Sequence, residues 1–383
     1  MKYAYIGTWK NVKSKLPGKV LVFKEAPNGK MKKIQEVILE ESVSKVRVDQ
    51  KKGLLFASLE EREGRDGSCG GEICIFQIED DGTLNQCQNL PSLGAYPIDF
   101  SMTDNFLAIV NHGSTTGRVC RTRKSPDGRP EVYWEYDEAS LVLYERTKEG
   151  RPGRFLDLYK FTGSGKIPFF QESAAPHSIS YIPETGLLLV PCRGTDETVL
   201  FRAESQKLVK LGVLKTKTGQ GPRNAASVKN GRDIYVIGEI EALVSHYRFS
   251  EKEPVQTEFA VTEESAAACS DNPRSFEAPH PSDIQISQDE KWIYVLTRST
   301  ESLSVFRRSE KNGSIRLVSE RRLPGKNPRE MLIYGDEIYI VLMDSQKWIK
   351  IPAKQEGGVL EEAECILQEI PAIATADLYE RRD

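Results

Sequence analysis

Short apolar runs recur along the chain, and nearly every one ends at a polar or small residue rather than at a helix cap. Seven of them are alike: 3–9 (YAYIGTW), 54–59 (LLFASL), 106–111 (FLAIVN), 187–192 (LLLVPC), 234–239 (IYVIGE), 292–298 (WIYVLTR) and 338–343 (IYIVLM). Brief stretches rich in Val, Ile, Leu and Tyr between polar breaks are strand chemistry, and helical periodicity is scarce. Each run is preceded by another strand-like segment, five of which open on a proline: Pro97, Pro176, Pro222, Pro281 and Pro328. The unit before Leu54 has VSKVRVD instead. Turn chemistry such as Pro183 to Gly186, Asn230-Gly231 and Gly335-Asp336 separates the two members of a pair, which predicts a hairpin. A third strand follows (VLVF, ICIF, LVLY, TVLF, VSHYRF, LSVF, WIKI), and a weaker fourth completes the unit.

Seven units in 383 residues give a repeat of about 55, near the 40–50 of a propeller blade. The chain ends decide the architecture. The first residues supply a second-type strand with no first-type strand before it, and 371–379 (PAIATADLY) is a first-type strand with no second after it. Joined, they predict an all-β fold: one seven-bladed β-propeller over 1–383, with four antiparallel strands per blade, closed by pairing the C-terminal strand with the N-terminal blade. An all-β sandwich or two smaller β domains are the rivals, and neither gives a reason for the split terminal unit.

Charge narrows the partners. With 53 Lys+Arg against 56 Asp+Glu the formal net charge is −3, which argues against nucleic acid and against a polybasic membrane contact. No stretch approaches the roughly 18 apolar residues of a transmembrane helix, and MKYAYIGTWKNVK lacks the apolar core of a signal peptide, so a cytoplasmic protein is expected. The 7 cysteines lack paired C-x-x-C spacing and read as reduced thiols; Cys69 and Cys74, in SCGGEIC, have no second pair. The 4 histidines are scattered, so neither a metal nor a cofactor is expected.

Hairpin geometry points to a site. Residues equally far from the turn lie at the same sheet edge, so the position after each opening proline and the position seventeen beyond it share one end of the ring. These slots hold His177, Arg223 and Arg329, and Arg193, Glu239 and Arg298. Four arginines, one glutamate and one histidine thereby converge on one mouth of the channel in a slightly acidic chain. A guanidinium fork grips carboxylate or phosphate through two bonds, which predicts an anionic substrate. Pairing of these groups across blades, merely stiffening the ring, is the competing expectation. Connections from second to third strand and from fourth strand to the next blade emerge on the same face. The long ones are expected at 60–71, 113–138, 147–175 and 263–279; the second is charged and aromatic and is expected as a lid, a subunit contact or a solvated excursion.

The segments YAYIGTW, SAAPHSISYIPETGLLLVPCRGTDETVLF, GQGPRNAASVKNGRDIYVIGEIEALVSHY and SDIQISQDEKWIYVLTRSTESLSVFRR resemble the lactonase family of seven-bladed propellers. That family includes propeller-type 6-phosphogluconolactonase and the fungal carboxymuconate lactonizing enzyme. G-x-G-P-R followed by a strand ending in Glu is its most specific motif here. The resemblance implies a catalytic cluster of His177 in PHSI, Arg223 in GPRN, Glu239 in VIGE and Arg298 in LTRS. It also marks departures: Asn224 stands where the family often has His, Cys192-Arg193-Gly194-Thr195-Asp196 replaces Asp-Leu-Gly-x-Asp, and Asp283 replaces a glutamate. Asn224 and Asp283 border the site and, with Arg193 and Arg329, are expected to bind substrate.

The implied reaction is opening of a small anionic lactone, or its reverse as in a cycloisomerase, by a monomer or homodimer. His177 is expected as the general base, Arg223 and Arg298 as anion and oxyanion holders, and Glu239 as their orienting or acid–base partner. A non-catalytic binding propeller is the rival of a different class. A metal-dependent gluconolactonase-like site is disfavoured, because an arginine mouth repels a cation.

Overall fold

The computed structural model describes residues 1–113, 118–249, 254–260, 280–353 and 361–381, the stretch 254–260 by its backbone alone. Seven four-stranded antiparallel sheets form the blades of a propeller. In each, the first-type strand is innermost, and Pro97, Pro222, Pro281 and Pro328 open four of these strands. Pro222–Ser227, for example, pairs with Asp233–Gly238, then Leu243–Phe249, then Pro254–Ala260.

Ring closure follows the split unit seen in the sequence. Ile373–Glu380 is the innermost strand of the first blade and pairs antiparallel with Lys2–Thr8, from Lys2 opposite Glu380 to Thr8 opposite Ile373. The seam joins the ends with backbone hydrogen bonds and leaves no inner edge exposed.

The second strand of each blade is sandwiched between neighbouring blades, so both of its faces are apolar. All six residues of Leu54–Leu59 and of Asp233–Gly238 are buried. That is why these runs stand out as continuous apolar stretches. Outer strands face solvent on one side: Pro152–Phe161 has only its two end residues fully buried. Blade-to-blade packing forms the core, as where Tyr3, Tyr5, Val20 and Val22 of the first blade meet Val46, Leu55, Ala57 and Phe76 of the second.

Carboxylates near the axis clip blades together. Asp99 Oδ1 accepts the amide of Phe100 at 2.9 Å, and its Oδ2 accepts that of Ile179, on the next blade, at 3.1 Å. Asp283 does the same for Ile284 and Met331, both at 2.8 Å, and Asp377 for Leu378 and Val48, again both at 2.8 Å. Each clip satisfies an amide that would otherwise be buried without a partner. Asp99→Ala orphans two such donors and is expected to lower stability by about 2 kcal/mol or more in urea unfolding; a change within about 0.5 kcal/mol would remove the clip from the account.

Two loop expectations are corrected. The range 147–175 contains Pro152–Phe161, the outer strand of the third blade, so the connection is shorter than expected; its apolar residues do not alternate, and Phe155 and Leu158 are exposed, so no strand pattern marked it. The range 113–138 contains a two-stranded hairpin of its own, Val119–Lys124 with Pro130–Glu135. Residues 60–71 form a turn with one isolated bridge between Glu63 and Cys69, and 263–279 lie outside the described residues.

Candidate functional site

Two rings of side chains frame one mouth of the channel. The first consists of the residues that directly follow the second strands: Trp9, Glu60, His112, Arg193, Glu239, Arg298 and Met343. The second comes from a bulge that recurs as the inner strands begin. Pairing skips one residue between Pro97 and Asp99, Pro222 and Asn224, Pro281 and Asp283, Pro328 and Glu330, and Val43 and Lys45. The skipped residue is released from the ladder, and a bulge re-aims its side chain. Arg223 and Arg329 are bulge residues, and His177 follows Pro176 in the same way, its amide bonded to Pro191 O at 2.9 Å. A narrow space of about 50 Å³ lies among Ser44, Ile98, His177, Arg223, Ser282 and Arg329.

Glu239 is the hub. Its carboxylate meets Arg193 Nη1 at 3.2 Å, Arg223 Nη1 at 3.5 Å and Arg298 Nη2 in a close contact, and His177 Nε2 stands 3.9 Å away. The residue is 5% exposed. Burial pushes its carboxyl up, but the surrounding guanidinium groups of Arg223, Arg298 and Arg193 outweigh this and hold it well below the usual carboxylate range. Three cations on one anion leave the cluster with surplus positive charge. Arg329 adds a fourth guanidinium, stacked 4.1 Å over the Trp9 ring. Near it, burial raises the Glu60 carboxyl toward its neutral form against the pull of Arg329 and Arg223. Pairing across blades and surplus cation are therefore both present.

Arg223 is fixed in three directions. Its Nε donates to Ser282 O at 3.0 Å, and its Nη1 reaches Glu239 and lies 3.0 Å from His177 Nδ1, with Nε2 also in contact. Burial lowers Arg223 to about 9, with the neighbouring arginines acting in the same direction and Glu239 against them. Arginine only donates, so one nitrogen of the His177 ring must accept. Burial, then Arg223, keeps that ring's pKa well below the ordinary histidine value, which makes it neutral.

Asp196 supports the arginine-bearing turn from below. Its carboxylate accepts the amides of Gly219 at 2.7 Å and Gly221 at 2.9 Å, and the Gln171 side chain at 2.8 Å; Gln171 also donates to Arg193 O at 2.9 Å. Gly221 has φ +65°, and a Cβ there would lie 2.7 Å from Ile240, so the second glycine of GQGPR is demanded by the turn. One aspartate thus positions both Arg193 and the turn before Arg223.

A family model for the lactonase seven-bladed β-propeller matches residues 4–364. The chain belongs to the lactonase family. Among its relatives, the 6-phosphogluconolactonase of Formosa agariphila is 26% identical over 257 residues, 65% of this chain and 70% of that protein. That of Bacillus subtilis is 23% identical over 265 residues, 69% of this chain and 73% of the relative. The periplasmic gluconolactonase of Pseudomonas aeruginosa superposes with a TM-score of 0.75 at 18% identity, covering 99% of both chains, which is a likeness of fold.

The lactonase mouth brings together His177, Arg223, Glu239, Arg298, Arg193 and Arg329. Asn224 and Asp283 differ: they sit one position deeper and are engaged with each other, Asn224 Nδ2 to Asp283 Oδ1 at 2.6 Å, while Asn224 Oδ1 accepts its neighbour's amide. Burial raises Asp283 to about 6. They line the narrow space with His177, Arg223 and Arg329, and they also join the fifth, sixth and seventh blades. Residues that the seventeen-residue count passed over are Trp9, Glu60 and His112, which follow second strands in blades whose hairpins are split between the chain ends, lack the opening proline or are shorter. Phe170 and His280 complete the wall, their rings 6.1 Å apart, with Arg193 5.9 Å from the Phe170 ring. Their loops carry no repeat signal. Among the described residues no group of three His, Cys, Asp or Glu side chains is placed to hold a metal ion, and no helix is long and apolar enough to cross a membrane.

Proposed function

We propose that this lactonase opens the ring of a small anionic sugar-acid or carboxylic-acid lactone by addition of water, without a metal. The observation that carries the reading is the convergence of Arg193, Arg223 and Arg298 on the single carboxylate of Glu239, beside His177. In this proposal Arg298, the most exposed of the three, takes the substrate's phosphate or carboxylate, and Arg193 and Arg329 border the same anion. Arg223, held rigidly by Ser282 O and Glu239, faces the carbonyl oxygen, where negative charge grows as water adds. Glu239 keeps the three forks aimed and stops them from repelling one another.

Metal independence rests on electrostatics, since surplus guanidinium disfavours a divalent cation at the same mouth. The names of the two curated relatives favour a phosphorylated sugar lactone over a muconolactone, whose formation would run the same chemistry in reverse. The six cysteines among the described residues are free, which fits a reducing, cytoplasmic compartment. Acid release from a panel of sugar lactones and muconolactones, followed at constant pH, tests the proposal; it should register turnover on a phosphorylated or carboxylated member and none on neutral lactones at equal concentration.

A further inference from the structure

The reaction needs a group that takes a proton from water, and besides His177 the mouth contains His280, packed against Phe170, and His112, packed against His177. His112 stands at the end of the second strand of the third blade, in the same ring of positions as Arg193 and Glu239. Its ring meets that of His177 edge to face, centroids 5.5 Å apart at 85°.

The two imidazoles differ in what their nitrogens can do. His112 Nδ1 lies 2.9 Å from Gly113 O. A carbonyl only accepts, so Nδ1 must carry the hydrogen and Nε2 keeps its lone pair. Gly113 is suited to this by its backbone: φ is +67°, and a Cβ would lie 2.6 Å from Asp137 O, so a side chain there would disturb the carbonyl that fixes the tautomer. His177 is the converse case. Both of its nitrogens lie against Arg223 Nη1, so the guanidinium takes up the ring's lone pair.

From this geometry we infer that His112 Nε2 is the base that takes the proton from the attacking water, while His177, its ring held against Arg223, keeps that guanidinium in place. The inference rests on the lactonase reading above. The water oxygen bonds to the lactone carbonyl carbon as its proton passes to His112 Nε2. The bond from that carbon to the ring oxygen then breaks, its electron pair goes to the ring oxygen, and the proton on Nε2 follows it. The product is the open hydroxy acid, and His112 returns to its starting tautomer. Burial and Arg193 lower the His112 pKa to about 4, so the ring is unprotonated at neutral pH; Arg193, Arg223, Glu239 and His177 are the charged and titratable groups that face it.

The test compares His112→Asn, His112→Gln and His177→Gln in the full chain with 6-phosphogluconolactone as substrate and 6-phosphogluconate as binding probe. Asparagine reproduces the Nδ1–H donor to Gly113 O while deleting Nε2, so the loop is kept and the base is lost. His112→Asn and His112→Gln should each lower kcat by about 10²–10⁴-fold, with probe affinity and the circular-dichroism spectrum within about threefold and unchanged, respectively. His177→Gln, whose side-chain carbonyl can still accept from Arg223, should lose less kcat than either. Should the wild type turn over this lactone while both His112 variants keep kcat within about threefold, His112 is not the base. Loss of probe binding or of fold in both His112 variants would likewise overturn the inference in favour of a structural role. A wild type that opens no lactone overturns the lactonase reading, and this inference with it.

Discussion

Glu239→Ala should lower the stability of the protein by about 3–5 kcal/mol, the usual consequence of leaving buried charges without their partner. The residue is 5% exposed and is the shared counter-ion of Arg223 from its own blade and of Arg193 and Arg298 from the blades on either side. Without it, three guanidinium groups repel one another across the axis, and the blades that carry them lose a common anchor. Glu239→Gln keeps the shape and an acceptor but not the charge, so its loss should be smaller. Denaturant unfolding of the three proteins measures this.

The pH dependence has a definite sign. The folded-state pKa of Glu239 lies well below the ordinary 4.5, so its contribution is fully present above about pH 4.5 and is lost as pH falls through the lower, folded value. Wild type should therefore approach the stability of Glu239→Ala as the solution is acidified. Equal unfolding midpoints at neutral pH would show that the arginines do not depend on Glu239.

Arg223→Ala should lower kcat/KM by about 10³-fold or more. Deleting one donor to a developing oxyanion typically costs 10²–10³-fold, and Arg223 also fixes the His177 ring. Arg223→Lys should recover little, because an ammonium cannot bond Ser282 O, Glu239 and His177 in three directions from one plane. Arg298→Ala, at a more exposed position, should act mainly on KM. Steady-state kinetics of the three variants separates these roles: a fall confined to KM in Arg223→Ala would move Arg223 from the reacting carbonyl to the anion.

Much of this arrangement was legible in the sequence because a propeller repeats. The split terminal unit predicted the pairing of 371–379 with the N-terminal strand, and the hairpin count found six mouth residues without any knowledge of the chain's relatives. It worked in the three hairpins of equal length opened by Pro176, Pro222 and Pro281. In the third blade Pro97 pairs with Asn111, a shorter hairpin, so the same count overshoots His112 by two residues. The second blade has no opening proline and the hairpin of the first is split between the two chain ends, so Glu60 and Trp9 escaped the count.

Other features depend on contacts that no spacing encodes. The recurring bulge that frees Arg223 and Arg329 is a backbone event with no obligatory residue type. The division of labour between His112 and His177 comes from their partners, a glycine carbonyl for one and a guanidinium for the other. Asn224 and Asp283 line the same narrow space as Arg223 and Arg329, and no spacing shows that they also bond each other and join neighbouring blades. The outer strand within 147–175 was hidden because its apolar residues, Phe155, Leu156, Leu158, Tyr159 and Phe161, do not alternate with polar ones in the way that marks a strand.

The central claim is that the surplus guanidinium of this mouth serves the opening of an anionic lactone. Its most direct test is the rate of acid release by the purified wild-type chain, treated with chelator, from 6-phosphogluconolactone, gluconolactone and a muconolactone, each corrected for spontaneous opening. The account predicts metal-independent turnover with 6-phosphogluconolactone at a kcat/KM at least about 10²-fold above that for the uncharged lactone, the discrimination expected from charge-assisted contacts worth about 3 kcal/mol. Release no faster than the spontaneous rate on every anionic lactone, or equal rates on charged and uncharged ones, would contradict it.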